Sequence, residues 1–393
     1  TMHTIKTQVI IVGGGPAGLM LSHVLRKEGI ASVVVERASR QHVLQRIRAG
    51  VLEDSTVNML RAYGLADRLN AEGSVHNGTG IVWSGDEQFF IDVKKHTGRT
   101  MMAYGQTAIT EDLYAAHDAA GTTPIDLAED VRLHDVDSTT PSVTYQKDGL
   151  HHRIEGDFIA GCDGYHGVSR STIPAATLKT FEKIYPFGWL GILSRTPPIK
   201  EIIYANHEHG FAMCSQRNPM LSRYYVQCPL SDGLADWSDQ RFWDELKIRM
   251  GPRIAAQIET GPSIEKSIAP LRSFVAEPMR WGRLFLLGDA AHIVPPTGAK
   301  GLNLAFSDVH YLSRGLMAYY KQDSEALLND YGQTALRRVW SATRLSWWLT
   351  NLLHRFPDQT PIDQRLQESE LAYLRRNEDA QRALALQYIG EPL

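Results

Sequence analysis

Apolar and polar positions follow two rhythms along this chain. Gln8 to Val12 is a short apolar run, after which Leu19, Leu21, Val24 and Leu25 recur at helical spacing until Gly29 interrupts them. A second β-branched run, Ala31 to Glu36, comes next. Strand, glycine-rich turn, helix and strand within about thirty residues predict a right-handed βαβ unit on a parallel sheet. Asp157 to Gly161 and Arg283 to Leu287 read as further strands running into polar turns, and Leu304 to Leu316 as a helix.

The segment between 179 and 267 keeps the shorter period and is rich in aromatics, as in Arg223-Tyr224-Tyr225-Val226-Gln227, which predicts antiparallel sheet. Beyond about residue 308 the pattern turns helical, and Leu336 to Leu353 carries Trp340, Trp347 and Trp348. Their indoles are read as packed in an internal helical core, with a dimer face as the alternative. The expected fold class is α/β: a Rossmann-like βαβ domain with a parallel sheet, a mostly antiparallel sheet domain for substrate, and C-terminal helices. Its expected boundaries are 1–75, 102–178 and 268–320 for the nucleotide-binding domain, 76–101 and 179–267 for the substrate domain, and 321–393 for the helical region.

Composition narrows the class without naming it. The 393 residues are 43% hydrophobic and 22% charged, ordinary for a packed globular chain and unlike a disordered or collagen-like one. Lys and Arg number 41 against 44 Asp and Glu, so no basic excess points to nucleic acid. The longest apolar stretches, such as Trp189 to Leu193, fall far short of a bilayer span. Cys162, Cys214 and Cys228 form no C-x-x-C pair, and polar Thr4, Lys6 and Thr7 precede the first strand without a signal-peptide pattern. A reducing, cytoplasmic setting is expected, with no metal site.

The chemistry begins at the first turn. Gly13, Gly15 and Gly18 match G-x-G-x-x-G between strand and helix, and Glu36 ends the second strand 18 residues after Gly18. Glycines let a pyrophosphate approach a helix N-terminus, and a carboxylate at the next strand end can accept from a ribose hydroxyl. That much predicts a dinucleotide but leaves FAD and NAD open. A second turn, Gly288-Asp289-Ala290-Ala291-His292 followed by Pro295-Pro296-Thr297-Gly298-Ala299-Lys300-Gly301-Leu302-Asn303, aims backbone N–H groups at the ribityl or ring end of a flavin, which favours FAD. A third, Cys162-Asp163-Gly164 with His166 and Arg170, brings more polar groups to a strand end.

These three motifs, in this order, resemble those of the flavoprotein aromatic hydroxylases. Arg46 to Glu53, Tyr185 to Gly191, Ile203 to His207, Ser267 to Phe274 and Asp289 to Asn303 extend the similarity over essentially the full chain, toward the branch that hydroxylates 4-hydroxybenzoate. The resemblance implies an FAD-dependent monooxygenase that converts 4-hydroxybenzoate to 3,4-dihydroxybenzoate with O2 and NADPH (NADH as the alternative), through a flavin 4a-hydroperoxide, in a homodimer. It implies Ser215, Arg217 and Tyr225 at the substrate carboxylate, with Tyr204 and Pro296 also at the substrate. Tyr204, Tyr388 and His76 would form a proton path with His76 at its solvent end. Arg48, Gln106, Arg223, Asp289, Lys300 and Asn303 would serve the flavin, Asn303 by hydrogen bonds to its edge. Arg37, Arg46, His166, Arg170 and Arg272 would hold the nicotinamide dinucleotide. A reductase of the same fold, or a flavoprotein that only senses aromatic acids, are the other readings, and hydroxylated product separates them.

Overall fold

A computed structural model describes residues 2–45 and 50–393. The apolar run Val9–Val12 is a buried interior strand of a five-stranded sheet, between Ser32–Val35 and Phe158–Gly161. Leu284–Leu286 lies beyond the latter, all parallel, and Arg280–Trp281 closes the edge antiparallel. Strands buried on both faces read as continuous Val and Ile, because helices cover both sides. The helix Pro16–Lys27 packs on this sheet with Leu19, Met20, Leu21, Val24 and Leu25 inward, and Gly301–Gln322 packs against it in turn. A four-stranded sheet adjoins, ordered His3–Lys6, Leu150–Glu155, Ser142–Lys147, Glu129–His134.

An eight-stranded sheet forms the second layer system. Its order is His292–Ile293, Ser263–Glu277, Lys179–Ser194, Leu221–Pro229, Ala212–Asn218, Ile203–Asn206, Gly78–Trp83, Glu87–Asp92. Its pairings are antiparallel except Ile203–Asn206 with Gly78–Trp83. Period-2 alternation sorts its side chains onto two faces. Leu190, Ile192, Ala205, Cys214 and Tyr224 turn toward the helix Asp239–Met250. Trp189, Tyr204, Phe211 and Met213 turn toward the C-terminal helices Ala326–Leu353, Pro361–Arg376 and Glu378–Ile389.

Two expectations change here. The boundary drawn at residue 268 falls inside Ser263–Glu277, which pairs with Lys179–Ser194 from Lys179↔Glu277 to Ser194↔Ser263. Hydrogen-bond pairing, invisible in composition, keeps 268–277 in the large sheet. The indoles do not all go inward either: Trp340 and Trp347 are 38% and 43% exposed, and only Trp348 packs against the core. Trp340 and Trp347 are seven apart, two helical turns, so they share the outer face, and Trp340 donates to Glu277 Oε1 at 2.7 Å. No helix among the described residues is long and apolar enough to cross a membrane, and the three cysteines are unpaired.

His354 joins helix to sheet. It sits fully buried at the end of Ala326–Leu353, stacked between Phe187 at 4.7 Å and Phe211 at 4.3 Å. Its Nδ1 bonds Thr350 O, so Nε2 is the acceptor for the Trp189 indole N–H at 2.8 Å. Burial holds its pKa down to about 3. Between roughly pH 6.5 and 3 the unfolded chain therefore binds a proton that the folded chain refuses, and stability falls as pH falls through that window. His354→Phe should lower stability at pH 7 by about 1–3 kcal/mol, since the Trp189 N–H loses its acceptor. It should also flatten the decline of Tm between pH 6.5 and 4; thermal melts across that range check this, and an unchanged slope refutes it.

Candidate active site

The first glycine turn is built by steric demand at two positions and by open space at a third. Gly13 has φ +113°, and a Cβ there would lie 2.0 Å from the Cys162 carbonyl oxygen. At Gly18 a Cβ would lie 2.0 Å from the Gly13 carbonyl oxygen, so this glycine permits close strand–helix contact. Gly15 has an ordinary φ of −81° and nothing within 4 Å of its Cβ position. It faces an open cradle before the helix Pro16–Lys27, whose N-terminus has no side-chain cap. Unpaired first-turn N–H groups and the helix dipole make that cradle an anion site. Glu36 closes one side, buried, with Oε1 accepting from Gly14 N at 3.1 Å and Oε2 from Ala38 N at 2.6 Å, which leaves lone pairs for another donor.

The later turn is pinned by a buried pair that sequence reading missed. Asp308 Oδ2 accepts from Gly288 N at 3.0 Å and pairs with His292 Nε2 at 2.6 Å, holding both ends of the turn that carries half-buried Asp289. Downstream, Gly298 (φ +92°) and Ala299 (φ +54°) are both left-handed and lead into Gly301–Gln322. Asn303 departs from its expected role. Its Oδ1 accepts from Glu53 N (3.0 Å) and Thr56 Oγ1 (2.7 Å), while its Nδ2 donates to Val51 O (3.1 Å) and Ala299 O (2.7 Å). Both donors and both acceptor positions are spent inside the protein, so this amide anchors the loop instead of reaching a ligand edge. Lys300, buried with its pKa lowered by that burial despite Glu53, points to Tyr388 O at 2.6 Å and Glu53 Oε2 at 3.4 Å. Gln106 opens the helix Gln106–Ala120, half-buried, after Gly105, which provides no side-chain cap.

A cationic, aromatic cluster lies on the face of the large sheet that carries Trp189. Ser215 is directly opposite Arg223, and Met213 opposite Tyr225, on the hairpin of Ala212–Asn218 and Leu221–Pro229. The register shifts between Gln216 and Asn218, so Arg217 is the bulged residue, re-aimed out of the ladder. Its Nη1 donates to Gln216 O at 3.1 Å, its Nε is buried without an acceptor, and no carboxylate pairs with it among the described residues. Burial lowers its pKa. Arg223 donates from Nε to Tyr225 Oη at 3.1 Å and stands 3.6 Å from Glu265 Oε1. Burial alone would raise the Tyr225 pKa, but the Arg223 and Arg217 guanidiniums outweigh it and the net shift is downward. A Cβ at Gly191 would sit 2.8 Å from Tyr225 Cε1, so that glycine makes room for the ring. Ser215 spends its only proton on Arg223 O at 2.7 Å and remains an acceptor unless that bond is released.

On the same face of the sheet three hydroxyls form a chain. Tyr204 Oη is 3.1 Å from Tyr388 Oη, which is 2.8 Å from Thr79 Oγ1, and Tyr204 Oη accepts from Gly298 N at 3.2 Å. The last helix has docked back, as a role for Tyr388 requires. Burial pushes the pKa of Tyr204 far up and that of Tyr388 up. Thr79 had no sequence signal. His76, expected at the solvent end of the path, is buried at 4% exposure, where its Nε2 accepts from Gln216 Nε2 at 2.9 Å and its pKa is lowered by burial. No hydrogen bond joins it to the three hydroxyls. Pro296 is half-buried, its carbonyl accepting from Ala299 N at 3.0 Å.

The expected nicotinamide residues divide. Arg170 and Arg272 lie 4.7 and 4.3 Å from the Tyr165 ring centroid, and exposed His166 lies 5.0 Å from it, so these three cluster. Arg170 also donates to Ala290 O at 2.9 Å, next to the Gly-Asp turn. Arg37 is exposed beside Glu36, with no hydrogen bond, ion pair or ring contact to that cluster. Arg46 and Arg48 lie outside the described residues.

Comparison with known proteins decides the family. A model described as FAD binding domain matches residues 6–346. The p-hydroxybenzoate hydroxylase of Acinetobacter baylyi is 50% identical over all of this chain and 97% of its own. The chain belongs to the FAD-binding aromatic hydroxylases. A rifampicin monooxygenase of Streptomyces venezuelae is 28% identical over 79% of the chain and 64% of its own length. The crystal structure of p-nitrophenol 4-monooxygenase from Pseudomonas putida superposes with TM-score 0.82, at 18% identity and full coverage of both chains. The mixed fold and the FAD cofactor are those of this family. The cradle fits that cofactor: Gly15 leaves its floor open, the uncapped helix suits a pyrophosphate, and Glu36 retains acceptor capacity.

The steric contrast between the glycines is testable. Gly15→Ala should fold with an unchanged apoprotein Tm yet bind FAD at least tenfold more weakly, about 1.4 kcal/mol. Gly13→Ala should fail to fold stably, because positive φ and a 2.0 Å contact act together. Melting of the apoproteins and FAD titration by flavin fluorescence check both; wild-type FAD affinity in Gly15→Ala refutes the cradle.

Proposed function

We propose that this aromatic hydroxylase acts on 4-hydroxybenzoate, placing a hydroxyl at the 3-position to give 3,4-dihydroxybenzoate, with NADPH and O2 as co-substrates. The observation that carries the reading is the bulged guanidinium of Arg217, with no carboxylate partner among the described residues, beside Tyr225 on the sheet face that also bears the Tyr204–Tyr388 hydroxyl pair. A para-hydroxylated benzoate presents a carboxylate and a phenol at opposite ends of one ring. Half identity to a p-hydroxybenzoate hydroxylase over the full chain supports the same assignment.

The cradle of Gly13, Gly15, Gly18 and Glu36 would hold FAD, which would supply the hydride-accepting and oxygen-activating chemistry. The chain's own residues bind, orient and deprotonate. Arg217 holds the carboxylate by charge-assisted hydrogen bonds, with Tyr225 Oη as a neighbouring partner. Trp189 and Phe211, stacked on each other and packed against Tyr225 and Tyr204, keep water from this face, which strengthens each polar contact. The phenol donates to Tyr204 Oη, whose own proton passes to Tyr388 Oη and then toward Thr79. High tyrosine pKa values exclude a standing tyrosinate, so each hydroxyl gives one proton as it takes one. Gly298 N–H, donating to Tyr204 Oη, leaves that oxygen with one free acceptor position and aims it. Removing the phenolic proton makes the ortho carbon electron-rich.

His166, Arg170 and Arg272 form a cationic, aromatic surface beside the Gly-Asp turn suited to a nicotinamide dinucleotide, and exposed Arg37 favours the extra phosphate of NADPH. The exposed faces of Trp340, Trp347 and Phe181 support the homodimer, and the unpaired thiols support a cytoplasmic setting.

Two variants test the two proposed contacts. Arg217→Lys should weaken 4-hydroxybenzoate binding by about 1.5–3 kcal/mol, because an ammonium cannot reproduce the planar fork, with FAD content unchanged. A flavin-fluorescence titration with the wild-type dissociation constant would contradict this. Tyr204→Phe should still oxidise NADPH when 4-hydroxybenzoate is present but release mostly hydrogen peroxide. A lost acid–base group costs about 10²-fold or more, enough for decay to outrun hydroxylation. Product formed per NADPH consumed measures it; near-complete coupling rules the relay out.

A further inference from the structure

The last helix, Glu378–Ile389, has no basic residue in its final turn, so nothing within it answers its terminal carbonyls. One cation from a distant segment meets a carbonyl of that turn, and two more hold the carbonyls of the tail just past it. Lys300 Nζ donates to Tyr388 O at 2.6 Å, Arg99 Nη1 to Gly390 O at 2.5 Å, and Arg338 Nη2 to Glu391 O at 2.5 Å. Each cation is itself held by an acid. Arg99 binds Asp54 through Nε at 2.8 Å and Nη2 at 2.5 Å, while Lys300 and Arg338 flank the two oxygens of buried Glu53 at 3.4 and 3.7 Å. Gly390 has φ +77°, and a Cβ there would lie 2.3 Å from Glu53 Oε1, so the tail crosses directly over this carboxylate.

We propose that Arg99 and Arg338 are positioning residues for the hydroxylation reaction, clamping the tail carbonyls so that Tyr388 Oη stays in register with Tyr204 and Thr79. This rests on the relay reading of Tyr388. Helix ends fray when their carbonyls are unmet, and cations at a C-terminus also gain from the helix dipole. The Tyr388 ring lies within the last two residues of the helix, so its hydroxyl moves with whatever the final turn does. The same clamp ties the tail to the loop at 298–300, which touches Tyr204 through Gly298 N and Tyr388 through Lys300. One loop thus sets both ends of the 3.1 Å contact between the tyrosines.

The test uses the FAD-loaded enzyme. Arg99→Gln should keep FAD content and 4-hydroxybenzoate affinity but lower product per NADPH by about threefold or more, within the ~100-fold that misplacement of a group can cost. The pKa of the bound phenol, read by its absorbance, should rise. Arg99→Lys should restore part of the coupling. In a Tyr388→Phe background Arg99→Gln should have no further effect, since both act through one hydroxyl. Arg338→Gln, which removes the contacts to Glu391 O and to Glu53 but leaves Arg99 and Lys300 in place, should follow the same pattern and serves if Arg99→Gln does not fold. Full coupling in both glutamine variants while Tyr388→Phe uncouples overturns the clamp and spares the relay. A loss that adds to that of Tyr388→Phe also overturns the clamp. Full coupling in Tyr388→Phe itself overturns the relay reading and the clamp's role with it.

Discussion

Four hydrogen bonds to one buried amide hold this active site in place. Asn303 grips Val51 O, Glu53 N and Thr56 Oγ1 on one side and Ala299 O on the other. Those contacts fix the left-handed residues Gly298 and Ala299, whose conformation a loop would not keep unaided. From Gly298 the constraint passes to the Tyr204 hydroxyl, from Lys300 to the Tyr388 carbonyl, and from Glu53 to the tail. Removing the amide would leave several buried polar groups unmet at once, and each such group costs about 1–3 kcal/mol.

Much of the nucleotide half was legible in the sequence because its signals are local. A G-x-G-x-x-G turn between strand and helix needs only neighbours in the chain, and Gly13 and Gly18 occupy the tight positions such a turn creates. What escaped was set by partners far away in sequence. That Arg217 is bulged depends on how 216 and 218 pair with 222 and 221. That Asn303 has no amide group to spare depends on a segment 250 residues distant. His76 is buried against Gln216 because two separate strands meet there, and no pattern near residue 76 announces it. Thr79 looks like any strand threonine until the last helix arrives.

The electrostatics of the arginine cluster are lopsided by design of its partners. Arg217 and Arg223 share a buried neighbourhood with one half-exposed acid, Glu265, at 3.6 Å from only one of them. Two desolvated cations with so little compensation are costly in the free protein. An anionic ligand would relieve that cost, which is how the proposed carboxylate contact at Arg217 would gain affinity. Tyr225, with its pKa drawn down by the same cations, can sit beside the carboxylate as a strong donor.

The strand Lys179–Ser194 is exposed over its first six residues and mostly buried afterwards, yet Ser263–Glu277 pairs with it along both stretches. A single two-stranded beam therefore runs from the rim of the molecule into the core, interrupted in register only between Ile184 and Gly188 and near Ser194. Swinging one lobe away from the other would shear that ladder. The pair thus acts as a stiff spar, and a motion that bent it would have to break many ladder hydrogen bonds at once.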